Sequence, residues 1–214
     1  MRNELRLGGI AFLAGVAVLA VTFGLIAARG QIRGVSASFM GVEGIGRDAV
    51  ALKTLLKGQA AYGILLIVGF GVLASGLTEA GQRSLALVSF GLWVFASAAG
   101  VIRAASDATI TVWAGEQWAE TGTVPEIYEA LNAFAGNSFF WFSEIPYFVA
   151  AAGFGWAVIR SGLLPPWVGY VAVAWSAVWL LFPLIFKFDL PAVLALFPII
   201  FGVGMLVTDW PASP

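Results

Sequence analysis

Arg103, Asp107, Glu144 and Pro146 are the residues of this chain whose types and spacing could do chemistry. An ionisable group held in a bilayer costs about 2.5–3.5 kcal/mol on insertion scales, so such a group is retained for a reason. Counting about 20 residues back from Arg160 starts an apolar stretch near Phe140, which puts Glu144 about 6 Å inside it at 1.5 Å per residue. Ser143 precedes Glu144. Pro146 follows it and weakens the local helix ladder, because proline lacks the N–H that a helix interior uses. Arg103 arrives at the same face from the preceding apolar stretch. Asp107 lies one turn further on, at the i, i+4 spacing where helix side chains meet. If the two stretches are neighbours, Arg103, Asp107 and Glu144 form one polar network able to hold a proton or a cation. The competing reading is structural: Glu144 reaches the headgroups or stays neutral, and Arg103 snorkels and ends its helix.

Other chemistry is narrowed by what the chain lacks. It contains neither histidine nor cysteine. That removes disulfides, thiol chemistry, iron–sulfur clusters, histidine-ligated haem, most zinc sites and triads with a histidine base. No carboxylate cluster has di-metal spacing, and Gly41-x-x-Gly44-x-Gly46 lacks the lysine and the preceding strand of a phosphate loop. Lys187 sits beside Asp189 in a short turn, a poor place for a Schiff base. A formal net charge of -1 with no polybasic stripe argues against nucleic acid. No cofactor and no metal is expected, and the chain reads as non-catalytic.

The elements that must position these residues are apolar. The chain is 60% hydrophobic and 11% charged, against about 25% charged in soluble domains. Its mean hydropathy is +0.93. Lipid is the solvent that fits. Six stretches approach the roughly 20 residues that cross a bilayer: about 7–28, 58–77, 84–102, 139–159, 167–186 and 191–208. The expectation is a single all-α domain over 1–214, a polytopic transmembrane bundle of six helices. Arg2 and Arg6 before the first run suggest a signal peptide, but the run is too long for an h-region, so it reads as a retained helix.

The connections punctuate the same pattern. Gly162 with Pro165 and Pro166 is a helix stop, and Gly76 and Gly81 bracket a tight link. Lys187-Phe188-Asp189 is so short that segments five and six must be antiparallel neighbours. Helical spacing over Asp48–Lys57 leads into segment two. Two loops look long, 30–57 and 104–138. Within the second, Thr123-x-x-Glu126 reads as a capping box. Ile127, Leu131 and Phe134 follow at helical spacing, so a short amphipathic interfacial helix is expected between helices three and four. Trp113, Trp118, Trp141, Trp167 and Trp210 fall near segment ends, as interface anchors do. Trp93, Trp156, Trp175 and Trp179 fall inside segments, as lipid-facing or packing bulk. Small-xxx-small pairs such as Ala96 with Gly100 and Ala151 with Gly155 mark helix contacts.

Six spans put both termini on one face. A plain Lys/Arg count favours the opposite face as cytoplasmic, with Arg29, Arg33, Arg47, Lys53, Lys57, Arg103 and Lys187 against Arg2, Arg6, Arg83 and Arg160. Most of that excess sits in one long loop, and Arg2 and Arg6 flank the first helix. The expected location is the cell membrane, multi-pass, with cytoplasmic termini.

Gly155-x-x-x-x-Arg160-Ser161-Gly162-Leu163-Leu164-Pro165-x-Trp167-x-Gly169 resembles a string in an uncharacterised bacterial family of six-helix integral membrane proteins, catalogued as a domain of unknown function. Length, span count and a long first loop are similar too. Pro166 stands where a basic residue is common in such strings. The resemblance implies a fold class and a bacterial inner-membrane setting, and supplies no activity, substrate or catalytic residue.

Three functions follow as expectations. The first is an accessory or structural subunit of a membrane assembly, with the bilayer and a protein partner or a second copy as its partners. The second is a small transporter or proton- or ion-coupled carrier using Arg103, Asp107 and Glu144, with Pro146 as the helix break. The third is a lipid- or quinone-binding protein with its ligand between Trp156, Trp175 and Trp179.

Overall fold

The computed structural model describes residues 2–32, 42, 49–186 and 194–208. Among these residues every regular element is helical and no strand occurs. Helix α1 spans Arg2–Ile32 and α2 spans Ala49–Glu79. Helix α3 (Arg83–Ser106) passes through a π-turn, π1 (Asp107–Thr111), into α4 (Val112–Thr121). Helix α5 (Glu126–Phe139) passes through a second π-turn, π2 (Phe140–Glu144), into α6 (Ile145–Ser161). Helices α7 (Pro166–Phe186) and α8 (Leu196–Val207) complete the described chain.

Four helices are long and apolar enough to cross a membrane by length and composition: Asn3–Ala28, Leu56–Glu79, Arg83–Thr121 and Glu126–Ser161. Shorter apolar helices occupy Pro166–Leu181 and Leu196–Val207. The six apolar stretches of the sequence therefore each fall on a helix. The lead-in before segment two is helical as well, continuous with α2 from Ala49.

The expected loop 104–138 is not a loop. Helix runs on from α3 to Thr121 and resumes at Glu126, so the connection shrinks to Gly122–Pro125. The reason is local. From Ala104 to Thr121 there is no proline, and alanine, glutamate and glutamine dominate the last turns. Gly122 is the first residue suited to stop the helix: it adopts φ 73° and its N–H donates to the Trp118 carbonyl at 2.8 Å. The short amphipathic helix of the sequence reading is likewise not separate. Residues 126–139 are helical but form the first part of one helix reaching Ser161. The capping box is out of register by two residues, since a helix beginning at Glu126 needs its cap at Pro125. The Thr123 hydroxyl instead meets that of Thr121 at 3.0 Å.

The other stops are as read, with one exception. Gly162 closes α6 at φ 65°, its N–H donating to the Val158 carbonyl at 3.1 Å. Gly81 turns the chain between α2 and α3. Gly76 belongs to α2 and does not bracket that link; it packs against Leu5 and Leu163. The turn at Lys187 and Asp189, the Gly41–Gly46 run and Trp210 lie outside the described residues.

The core is aromatic. Helix α1 packs chiefly on α2 and α8, α3 lies between α2 and α6, and α6 packs on α7. Five helices each place one ring in a shared cluster: Phe12, Phe70, Trp93, Phe154 and Phe201, all fully buried. Phe70 is the hub, 3.8 Å from Trp93 between ring centroids, 4.6 Å from Phe12 and 5.1 Å from Phe154. Such ring pairs contribute about 0.5–1.5 kcal/mol each beyond the area they bury. Trp93 is thus packing bulk, while Trp156 is half-exposed on α6.

Candidate functional site

Pro146 shapes the region around Glu144. Proline has no N–H to offer the carbonyl four residues back, and its ring collides with that carbonyl. That carbonyl belongs to Phe142, which sits inside π2. Widening the turn over Phe140–Glu144 accommodates the ring without ending the helix, a common origin of π-turns. The other π-turn, π1, has a different local cause. Thr109, Ile110, Thr111 and Val112 are four consecutive β-branched residues, which crowd an α-helix. The Thr109 hydroxyl donates back to the Ala105 carbonyl at 2.8 Å.

The widened turn faces α3. Ser143 is fully buried, and its hydroxyl donates to the Ala96 carbonyl at 2.9 Å. Tyr147, one turn into α6, donates its hydroxyl to Ser97 Oγ at 3.1 Å, and Ser97 in turn donates to the Trp93 carbonyl at 2.8 Å. Gly100 completes this face: a Cβ built there would lie 3.6 Å from Ser143 Oγ and 3.8 Å from the Tyr147 hydroxyl. Helix α3 and the π2–α6 helix therefore bring Ser97, Ser143 and Tyr147 together in one seam.

Glu144 is buried, only 2% exposed, at the last position of π2. Its side chain is covered by protein and does not stand on the helix exterior. Arg103 stands one turn beyond Gly100 on α3 and is half-buried. Its Nη2 donates to Asn132 Oδ1 of α5 at 3.3 Å. Asp107 opens π1, and its side chain lies outside the described residues. Arg103 and Glu144 thus flank the same seam between α3 and π2, with Pro146 just beyond it.

As site residues, sequence reasoning missed Ser97, Asn132 and Tyr147, and it had Gly100 only as a helix contact with Ala96. Spacing carried the signal for three of them. Tyr147 is three residues from Glu144, and Ser97, Gly100 and Arg103 recur every third position, so each set shares one helix face. Asn132 had no such signal, because its partner comes from another helix.

The arrangement can hold a proton or a small cation at a buried carboxyl, on the turn that also carries the buried Ser143. It offers no nucleophile paired with a base. Among the described residues no group of three or more histidine, cysteine, aspartate or glutamate side chains could hold a metal ion. Comparison of the chain with protein families, curated proteins and solved structures found no match.

Proposed function

We propose that the chain is a multi-pass membrane protein, with its termini on the cytoplasmic face, that serves as a non-catalytic accessory subunit of a membrane assembly. The observation that carries this reading is the inversion of its two surfaces. The bundle centre is filled by five interlocked rings, while the outward faces carry large aliphatic side chains such as Leu7, Leu25, Ile64 and Val88, more than half exposed. Water would not solvate that exterior, and lipid would. Rings packed this closely among the described residues favour a packing role over a carrier. The helix pair α3–α4 and α5–α6 is longer than a bilayer needs. At 1.5 Å per residue, the 39 and 36 residues of Arg83–Thr121 and Glu126–Ser161 cover about 58 and 54 Å against a core of about 30 Å. The surplus forms a helical hairpin on the face opposite the termini.

The chain is free of cysteine, so single cysteines report topology without background. With intact cells, Gln82→Cys and Ser161→Cys share the termini's face and stay unlabelled by an impermeant maleimide, while Gly122→Cys on the hairpin is labelled. The reverse pattern inverts the orientation; labelling at all three, or release from membranes by carbonate, sinks the membrane reading. Purification in mild detergent should yield a homo-oligomer or a complex with a second protein. A lone monomer would count against the subunit role.

A second reading rests on Glu144, whose burial at a π-turn suits a proton- or cation-coupled carrier. Glu144→Gln separates the two. A subunit keeps its assembly and abundance with the neutral isostere. A carrier loses proton-coupled uptake while folding normally.

A further inference from the structure

The hairpin formed by α4 and α5 has a face that the bundle does not use. Helix α5 turns Tyr128, Leu131 and Ala135 inward, half-buried, where it packs on α3 and the two π-turns. Ile127 and Phe134 stand beside that seam, 58% and 73% exposed. They are seven residues apart, so they lie two turns apart along one flank. Val124 at the hairpin tip is exposed as well. Glu116, Glu120, Glu126 and Glu129 are all exposed, and no lysine or arginine occurs between Ala104 and Ile159; Arg103 reaches α5 at Asn132, on the flank away from Ile127 and Phe134.

We propose that this flank docks a basic amphipathic helix of a partner protein, with its apolar side chains on Ile127 and Phe134 and its lysines or arginines on Glu126 and Glu129. The inference rests on the accessory-subunit reading and names the chemistry of the partner. Charge selects among the possible occupants. An anionic lipid surface repels a glutamate-rich helix without basic residues. A second copy would set glutamates against glutamates. A cationic helix gains on both counts, with apolar anchors at helical spacing giving affinity and the acidic border giving orientation.

The test uses the full chain in nanodiscs of zwitterionic lipid. The probe is a fluorescent peptide of leucine and lysine only, patterned so that leucines line one helix face, with its glutamate counterpart as the control. Anisotropy should show saturable binding of the lysine peptide alone, weakened about tenfold or more by Ile127→Ser with Phe134→Ser. Glu126→Gln with Glu129→Gln should weaken it at low salt and much less at high salt. Unchanged near-UV dichroism shows that these exposed substitutions leave the fold intact. Equal binding to parent, variants and empty nanodiscs overturns the proposal. So does a dimer that Phe134→Ser dissolves, which would make the occupant a second copy. Phe134→Cys separates the two levels of inference. Labelling by a water-soluble maleimide without peptide binding sinks this proposal alone. No labelling, with quenching of a fluorophore there by lipid-borne quenchers, sinks the span layout on which it rests.

Discussion

Gly155 of α6 and Gly169 of α7 meet backbone to backbone. A Cβ at Gly155 would lie 2.8 Å from the Gly169 carbonyl oxygen, and one at Gly169 would lie 2.5 Å from the Gly155 carbonyl oxygen. Neither distance leaves room for a methyl group. The two glycines are also the ends of the Gly155 to Gly169 string, with the Gly162 stop between them. That string is therefore a helix–turn–helix whose two arms cross at its first and last residues.

The crossing gives a direct prediction. Gly169→Ala forces α6 and α7 apart and should destabilise the protein by about 1–3 kcal/mol or more, the range for overpacking a close contact. Gly91→Ala is the control, because a Cβ at Gly91 of α3 meets nothing within 4 Å. It should be neutral or stabilising by up to about 1 kcal/mol from helix propensity. Thermal unfolding in one detergent compares them. Equal midpoints for the two variants would remove the crossing as a constraint.

Trp93 tests the aromatic centre. Its ring is fully buried, and its Nε1 has no hydrogen-bond partner among the described residues. Trp93→Ala should cost about 3–5 kcal/mol through the cavity it leaves. Trp93→Phe should cost clearly less. It keeps the ring against Phe70 and removes a buried N–H whose desolvation costs about 1–3 kcal/mol. Denaturant titration ranks the variants, and a phenylalanine variant as damaged as the alanine one would contradict this account.

Pro146 tests the origin of the π-turn. Pro146→Ala restores an N–H that can reach the Phe142 carbonyl, so π2 should close to an α-turn. Closing it removes the offset that aims Ser143 at the Ala96 carbonyl, a bond worth about 1 kcal/mol. Amide exchange at residue 146 should then be slow. Ser143→Cys, hidden in the parent, should become reactive to a thiol probe in the Pro146→Ala background. A cysteine at 143 that stays hidden means that packing, not proline, holds the π-turn.

Several features were legible without coordinates because their causes are local. Gly162 and Gly81 had to turn the chain, Pro146 had to disturb its helix, and Glu144 stood out against an apolar background. The misreadings share one cause. A polar stretch between apolar stretches looks like a loop by hydropathy, yet residues 104–121 and 126–139 are helical because nothing in them breaks a helix. Hydropathy reports the solvent a segment prefers, and backbone geometry follows propensity and stop signals instead.

By itself the sequence determined an apolar helical chain, the turns at Gly81 and Gly162 and the one carboxylate worth following. Those properties depend on side-chain transfer energies and on single-residue dihedral preferences, which a linear string carries. Tertiary structure alone decided that Glu144 is buried, that Ser97 meets Tyr147 in the seam where Ser143 reaches Ala96, that Arg103 reaches Asn132, and that five rings share one cluster. Each of these depends on the rotation of one helix against another. That rotation is set by close contacts such as Gly155 on Gly169 and by the offset of a π-turn, and residue types in order do not encode it.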